Sequence, residues 1–328
     1  RLRHERRGAL GGPPPHAMAS PRDRADGALM AAAGAWTVAP DGAAARHVEP
    51  IGVRQRSRGA VKLDGVVKYY GEGPSRVHAV DACSLDIRAG EVFVVVGPSG
   101  CGKTTLLNAI AGFHSISGGA IHLDGEVLCG PGKPCADIGP ERVVVFQNGA
   151  LFPWKTILEN VAFGPSMQRA SRRSDVLAKA RRMLEGAGLR GYEDAYPGET
   201  SSGVKRRVEI VRALMNDPAV LLLDEPFRAL DALTKSVMHE ALLAIYARNR
   251  STVFFITHDL EEAVFLGSRV AVMTSRPCRP KKILDVDVPY PRTRAFVTSK
   301  RYRELLQETT AIVHEEALKA HALGEKEG

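Results

Sequence analysis

No stretch of this sequence is apolar for long enough to cross a bilayer. The longest unbroken runs, such as Ala28 to Ala33 and Val92 to Val96, fall far short of the roughly 18 to 20 residues a transmembrane helix needs. Cysteine is scarce: Cys83, Cys101, Cys129, Cys135 and Cys278 form no Cys-x-x-Cys pair and have no histidine at zinc-ligand spacing. Neither a disulfide framework nor a structural zinc is therefore expected, and a reducing compartment fits best. The body of the chain also lacks a surplus of one charge. Net charge is +8, but ten arginines against five acids in residues 1–60 supply most of it. A near-balanced body with a basic arm lacks the footprint of a nucleic-acid binder, so no nucleic-acid partner is expected. No internal repeat is visible.

What is present is an ordinary globular balance, 44% hydrophobic and 25% charged over 328 residues, enough for one large domain or two modest ones. Residues 1–59 are rich in Arg, Ala, Gly and Pro without helical or strand period, and read as a disordered N-terminal arm. Its apolar stretch Ala28 to Ala39 is short and broken by Gly34 and Thr37, a poor signal-peptide core. Beyond Val61, the runs Val92 to Val96, Val143 to Phe146, Val220 to Leu223, Val253 to Ile256 and Val270 to Met273 read as strands buried on both faces. With helical stretches between them they predict an α/β fold with a parallel sheet. In the long interval between the second and third runs, Val176, Leu177, Ala180, Met183, Leu184 and Ala187 recur at helical spacing and predict an inserted helical subdomain, about 151–215. From Ser299 to about Ala322, Tyr302, Leu305, Leu306, Thr309, Ile312, Val313 and Ala317 share one helical face. The expected division is arm 1–59, domain 60–284 and helical extension 285–328.

The strongest chemical signal is Gly97-Pro98-Ser99-Gly100-Cys101-Gly102-Lys103-Thr104, between a strand and a helix. It fits the phosphate-binding loop, whose backbone N–H groups and helix N-terminus cradle phosphate oxygens. Lys103 supplies a cation to the β and γ phosphates, and Thr104 a hydroxyl to Mg²⁺. Gly97, Ser99, Gly100, Cys101, Gly102, Lys103, Thr104 and the adjoining Thr105 are the expected nucleotide contacts. The run Leu221-Leu222-Leu223-Asp224-Glu225 ends a buried strand in two acids, where a doubly wound sheet holds its ligand. Asp224 can hold Mg²⁺ and Glu225 can polarise an attacking water; the structural alternative is an ion pair or a helix cap.

Taken together these residues resemble the ATP-binding cassette family, the nucleotide-binding subunits of ABC transporters, over about residues 61 to 310. The resemblance implies a P-loop NTPase (RecA-like) core with an antiparallel β edge. It further implies that Gln147 touches Mg²⁺ and the attacking water, that His258 reads the γ-phosphate, that Tyr70 stacks on adenine and that Asp231 lies in a loop crossing the dimer interface. Leu151-Phe152-Pro153-Trp154, Asn160-Val161-Ala162-Phe163-Gly164 and Asp259-Leu260-Glu261-Glu262-Ala263-Val264 look like the nitrate, sulfonate and taurine importer branch. Such a chain is an ATPase paired with a second ATP-binding subunit. It sits peripherally on the cytoplasmic face of the membrane beneath separate permease subunits, with an external solute-binding protein delivering the solute. Phe152 and Trp154 stand where family members receive the permease.

Four departures stand out. The family's signature loop reads Thr200-Ser201-Ser202-Gly203-Val204, with Arg206 where glutamine is usual. Ser201 and Gly203 remain to close over a partner's γ-phosphate, and the cations Lys205, Arg206 and Arg207 in the first helical turn are expected to favour phosphate or solvent. Ser202 is expected to cost activity if its position needs a positive φ. Arg228 replaces a usual glycine and Cys278 another, and residues Gly130 to Pro140 form a longer loop, expected to be surface decoration. The competing reading is a cassette with impaired hydrolysis acting as an assembly or regulatory module. A P-loop kinase would make Gln147, Ser201, Asp231 and His258 coincidences.

Overall fold

The computed structural model describes residues 58–168, 172–228, 230–290 and 292–322. The expected disordered arm thus lies outside the described residues, apart from Arg58 and Gly59. Along the chain run β1 (Val61–Tyr70), β2 (Val77–Ile87), β3 (Val92–Val96), α1 (Lys103–Ala111), β4 (Gly118–Leu123), β5 (Glu126–Cys129) and β6 (Arg142–Val145). Three helices follow, α2 (Ile157–Gln168), α3 (Arg173–Gly186) and α4 (Ser202–Leu214), then β7 (Val220–Asp224), α5 (Ala232–Asn249), β8 (Thr252–Ile256) and α6 (Leu260–Leu266). The described chain ends with β9 (Arg269–Met273), β10 (Pro280–Asp285), α7 (Arg294–Val297) and α8 (Lys300–Ala322).

Six strands form the central sheet in the order β10-β9-β3-β8-β7-β6, parallel except for β10. Strand alternation sends Phe93, Val95, Val220, Leu222, Phe254 and Ile256 into one core, shared with α1 and the antiparallel sheet β2-β1-β4-β5. Val94, Val96, Leu221, Leu223, Val253 and Phe255 enter a second core, against α4, α5, α6 and α8. Continuous apolar runs are what a sheet covered on both faces requires. The P-loop NTPase architecture expected from the sequence is thus the one observed.

Helices α2, α3 and α4 enclose a third core of their own, in which Val176, Ala180, Leu184 and Ala187 pack on Val204, Val208, Val211 and Met215. The other face of α4 gives Ile210, Ala213 and Leu214 to the second core. A single helix therefore joins the helical layer to the sheet. Two expectations need correction. Cys129 and Cys135 are disulfide-bonded, because the chain reverses at the Gly130–Lys133 bridge and brings their Cα atoms within 4.0 Å. On α8, Tyr302, Leu305 and Thr309 are buried as the period implies, but one turn before the C-terminal end the buried residue is Glu316, while Ala317 is only half-buried.

Glu316 is buried because it is fully partnered: it accepts from Ser275 N–H at 3.1 Å, Lys281 Nζ at 2.7 Å and Lys319 Nζ at 3.0 Å. Burial opposes its ionisation, but these donors outweigh it and hold the carboxyl below its ordinary value. Glu316→Ala should cost about 1–3 kcal/mol, the penalty for stranding buried donors, read by urea unfolding. A depressed pKa makes that stabilisation full at neutral pH and removes it as pH falls below 4.5. The difference between wild type and variant should shrink in the same range.

Candidate active site

β3 delivers the chain to Gly97 and α1 takes it up at Lys103, with the phosphate-loop sequence between. Gly102 has φ +120°, and a Cβ there would lie 2.5 Å from Ala79 O, so any side chain would push the loop off β2. α1 has no side-chain cap, which leaves its first N–H groups available to an anion. Lys103 Nζ is folded over the loop, 2.8 Å from Gly97 O and 2.7 Å from Pro98 O. Ser99 and Gly100 are exposed on the rim. Cys101 differs: its side chain is buried, with Sγ accepting from Lys103 Nζ at 3.7 Å. A hydrogen bond from Cys278, against the effect of burial and with help from Lys103, brings this thiol down to about 6.

Thr104 Oγ1 donates to Asp224 Oδ1 at 3.3 Å, joining the phosphate loop to the end of β7. Burial first, and the neighbouring Glu225 charge, raise the Asp224 carboxyl above the ordinary range despite Thr104 and Lys103. A cation beside it relieves that cost. Glu225 follows with φ +44°, a left-handed conformation that costs a non-glycine residue roughly 1–2 kcal/mol. The backbone is held there by the Glu225 N–H bond to Ile256 O at 3.0 Å. Glu225 Oε2 lies 3.5 Å from His258 Nδ1 and 3.2 Å from Arg228 Nη1. The loop carrying His258 is fixed from beneath. Thr257 Oγ1 donates to buried Glu262 at 2.5 Å and accepts from Asp259 N–H at 3.0 Å, and Glu262 pairs with His239 at 2.9 Å.

Tyr70 is 38% exposed, its ring edge-on to His114 at 6.1 Å and its hydroxyl 3.5 Å from Thr105 Oγ1. It therefore stands beside the first turn of α1. Gln147 leaves β6 at the same edge of the sheet. Among the described residues no hydrogen bond joins its side chain to Thr104 or Asp224. Ser201 Oγ accepts from Val204 N–H at 3.4 Å as the cap of α4, and Asp231 caps α5 through Thr234 N–H at 2.9 Å and Thr234 Oγ1 at 2.6 Å. A Cβ on Gly203 would come within 3.0 Å of Thr234 Cγ2, so α4 and α5 approach closely at their N-termini. Ser201, Gly203 and Asp231 thus form one group. Among the described residues, no hydrogen bond links it to the phosphate loop of the same chain.

Arg206 and Arg207 of α4 turn to partners within the chain. Arg206 is buried, and its guanidinium donates to Phe146 O at 2.8 Å, Gln147 O at 2.7 Å and Glu209 Oε2 at 2.7 Å. Arg207 reaches Ala187 O and Gly188 O. Glu209, raised by burial against the pull of Arg206, also accepts from Ala150 N–H. Ser202 is the first residue of α4 and lies outside the positive-φ set, so the strain expected there is absent. A basic turn gives no sign in sequence of aiming at a loop some sixty residues upstream; the one available hint was Glu209 at helical spacing from Arg206.

A loop that cradles phosphate, a carboxylate beside a threonine hydroxyl and a glutamate–histidine pair at one sheet edge define a nucleotide hydrolase of the cassette type. The sequence profile described as ABC transporter matches residues 80–228. An uncharacterized ABC transporter ATP-binding protein of Methanocaldococcus jannaschii is 40% identical over 81% of this chain and 96% of its own length. The taurine import ATP-binding protein TauB of Rhizobium johnstonii is 44% identical, covering 73% and 90%. The aliphatic sulfonates import ATP-binding protein SsuB of Bacillus cereus is 39% identical, covering 75% and 92%. Among solved structures, a dimeric post-hydrolysis state of the ATP-binding cassette MJ0796 bound to ADP and Pi superimposes with a TM-score of 0.60 at 28% identity, over 70% of this chain and all of that one. The chain belongs to the ATP-binding subunits of ABC transporters; it binds ATP and hydrolyses it.

The Arg206–Glu209 pair yields a double-mutant test. Arg206→Gln leaves a buried carboxylate unpaired and should destabilise by about 3–5 kcal/mol, while Arg206→Gln with Glu209→Gln should recover much of that loss. Urea unfolding of the two single variants and the double measures the coupling.

Proposed function

We propose that this chain powers an importer for small anions of the sulfonate, taurine or nitrate type, two copies working beneath separate permease subunits. It would lie peripherally on the cytoplasmic face of the membrane, with an external solute-binding protein acting upstream. No helix among the described residues is long and apolar enough to cross a membrane, which fits a motor whose spanning parts are other chains. In this reading residues 60–284 are the cassette, 151–215 its helical subdomain and 285–328 an extension that braces it. The observation that carries the reading is the unbroken line Thr104–Asp224–Glu225–His258 along one edge of the sheet.

The chemistry follows from that line. The N–H groups of the loop and of α1 hold the phosphates of ATP, and Lys103 exchanges its carbonyl partners for phosphate oxygens. Thr104 and Asp224, hard oxygen donors 3.3 Å apart, would hold Mg²⁺ together with the Gln147 amide, and the ion would supply positive charge against the phosphates. Glu225 takes the proton of a water attacking the γ-phosphorus as the bond to the bridging oxygen breaks, and His258 donates to the γ-phosphate. Tyr70 stacks on adenine. Ser201 and Gly203 supply the opposite wall to the partner's nucleotide, with Asp231 at the crossing. The impaired-hydrolysis reading is not favoured, since Glu225 and His258 are both in place. Exposed Trp154 (70%) and half-buried Phe152 offer a contact for the permease.

Lys103→Ala should abolish tight ATP binding, whereas Glu225→Gln should keep binding and lower turnover by about 10²–10⁴-fold. Equilibrium binding of a fluorescent ATP analogue and phosphate release separate the two; an unchanged rate in Glu225→Gln would remove its role as base. Pull-down from bacterial membranes should recover a multi-spanning permease and weaken with Trp154→Ala. Recovery of ribosomes or DNA would overturn the importer reading.

A further inference from the structure

The hydrolysis described above leaves one cation at its centre unused. Arg228 follows the turn Pro226-Phe227, and its N–H bonds back to Glu225 O at 3.3 Å. Phe227 is wholly buried, which pins the turn and carries the arginine side chain back over the acid. Arg228 Nη1 then meets Glu225 Oε2 at 3.2 Å, the same oxygen that His258 approaches. The glutamate side chain is 15% exposed and the arginine side chain 55%. Among the described residues, Arg228 makes no hydrogen bond to the phosphate loop, so its charge is spent on the carboxylate.

We propose that Arg228 is a positioning residue that restrains Glu225, competing with the attacking water for Oε2 and holding the ATPase rate of the chain down. A carboxylate oxygen that accepts from a guanidinium has one lone pair fewer to offer water and is a weaker base, so the ion pair slows proton transfer within each turnover. A cation here could instead stabilise charge on the transferring phosphoryl group; the observed partner is the carboxylate, which favours restraint. The proposal rests on the reading of Glu225 as the base.

The test compares steady-state phosphate release by the full chain with Arg228→Gly, Arg228→Lys and Glu225→Gln, thermal unfolding confirming that each is folded. Half-exposed ion pairs are weak, so Arg228→Gly should raise kcat up to about fivefold with KM unchanged, and Arg228→Lys should fall between it and wild type. Raising salt from about 0.05 to about 0.5 M should narrow the gap, because screening loosens the pair in wild type alone. A lower kcat in Arg228→Gly would show that the arginine serves phosphate, and an unchanged kcat would show that the pair does not limit turnover. Either result overturns the proposal. Full activity in Glu225→Gln would instead overturn the base itself.

Discussion

Because β3 lies between β8 and β9 and runs parallel to both, and β7 lies parallel beside β8, the register sets Val95, Ile256 and Asp224 at one level across three strands. β6 adds Val145 opposite Leu223. The next one to three residues of each strand are Gly97, His258, Glu225 and Gln147, so four chain segments far apart in sequence leave the sheet at one edge. A shift of a single residue in any of these pairings would turn its strand over and send the apolar side chains of one core into the other. The site is therefore held by the same burial that makes the fold, and no separate interaction is needed to bring its loops together.

Catalytic geometry within that edge is finer, and strain and hydrogen bonds determine it. Glu225 adopts a left-handed backbone held by its N–H bond to Ile256 O, and the Thr257–Glu262–His239 chain fixes the approach of His258. On the other side, α4 carries the signature serine at its N-terminus and, one turn on, the arginine that grips the carbonyls of Phe146 and Gln147. Movement of the helical layer would thus be felt at Gln147 through these direct hydrogen bonds.

The five buried strands were legible to within a residue, because two-sided burial writes itself as continuous apolar runs, and the phosphate loop was legible because glycine spacing and Lys103 leave little choice of chemistry. Interactions between segments distant in sequence were not. Arg206 looked like a phosphate or solvent cation and is a buried tie; the Cys129–Cys135 bond depends on a chain reversal that the five intervening positions do not announce. Ser202 was expected to cost activity only on the condition of a positive φ, whereas it is the first residue of α4 and adopts none. The carboxylate partner of Arg228 was not legible, since sequence adjacency does not say which way a long side chain turns.

Ser201 caps α4 and Gly203 lies in its first turn, and among the described residues neither bonds to the phosphate loop of the same molecule; in the proposed dimer each chain therefore carries two complementary halves of a site. Mixing two disabled variants tests it directly. Lys103→Ala retains the signature half and Ser201→Ala retains the phosphate half, so each alone should hydrolyse ATP at background. Their equimolar mixture should regain activity, because a mixed dimer contains one complete site. A mixture as inactive as its components would show that the two halves do not meet across a dimer.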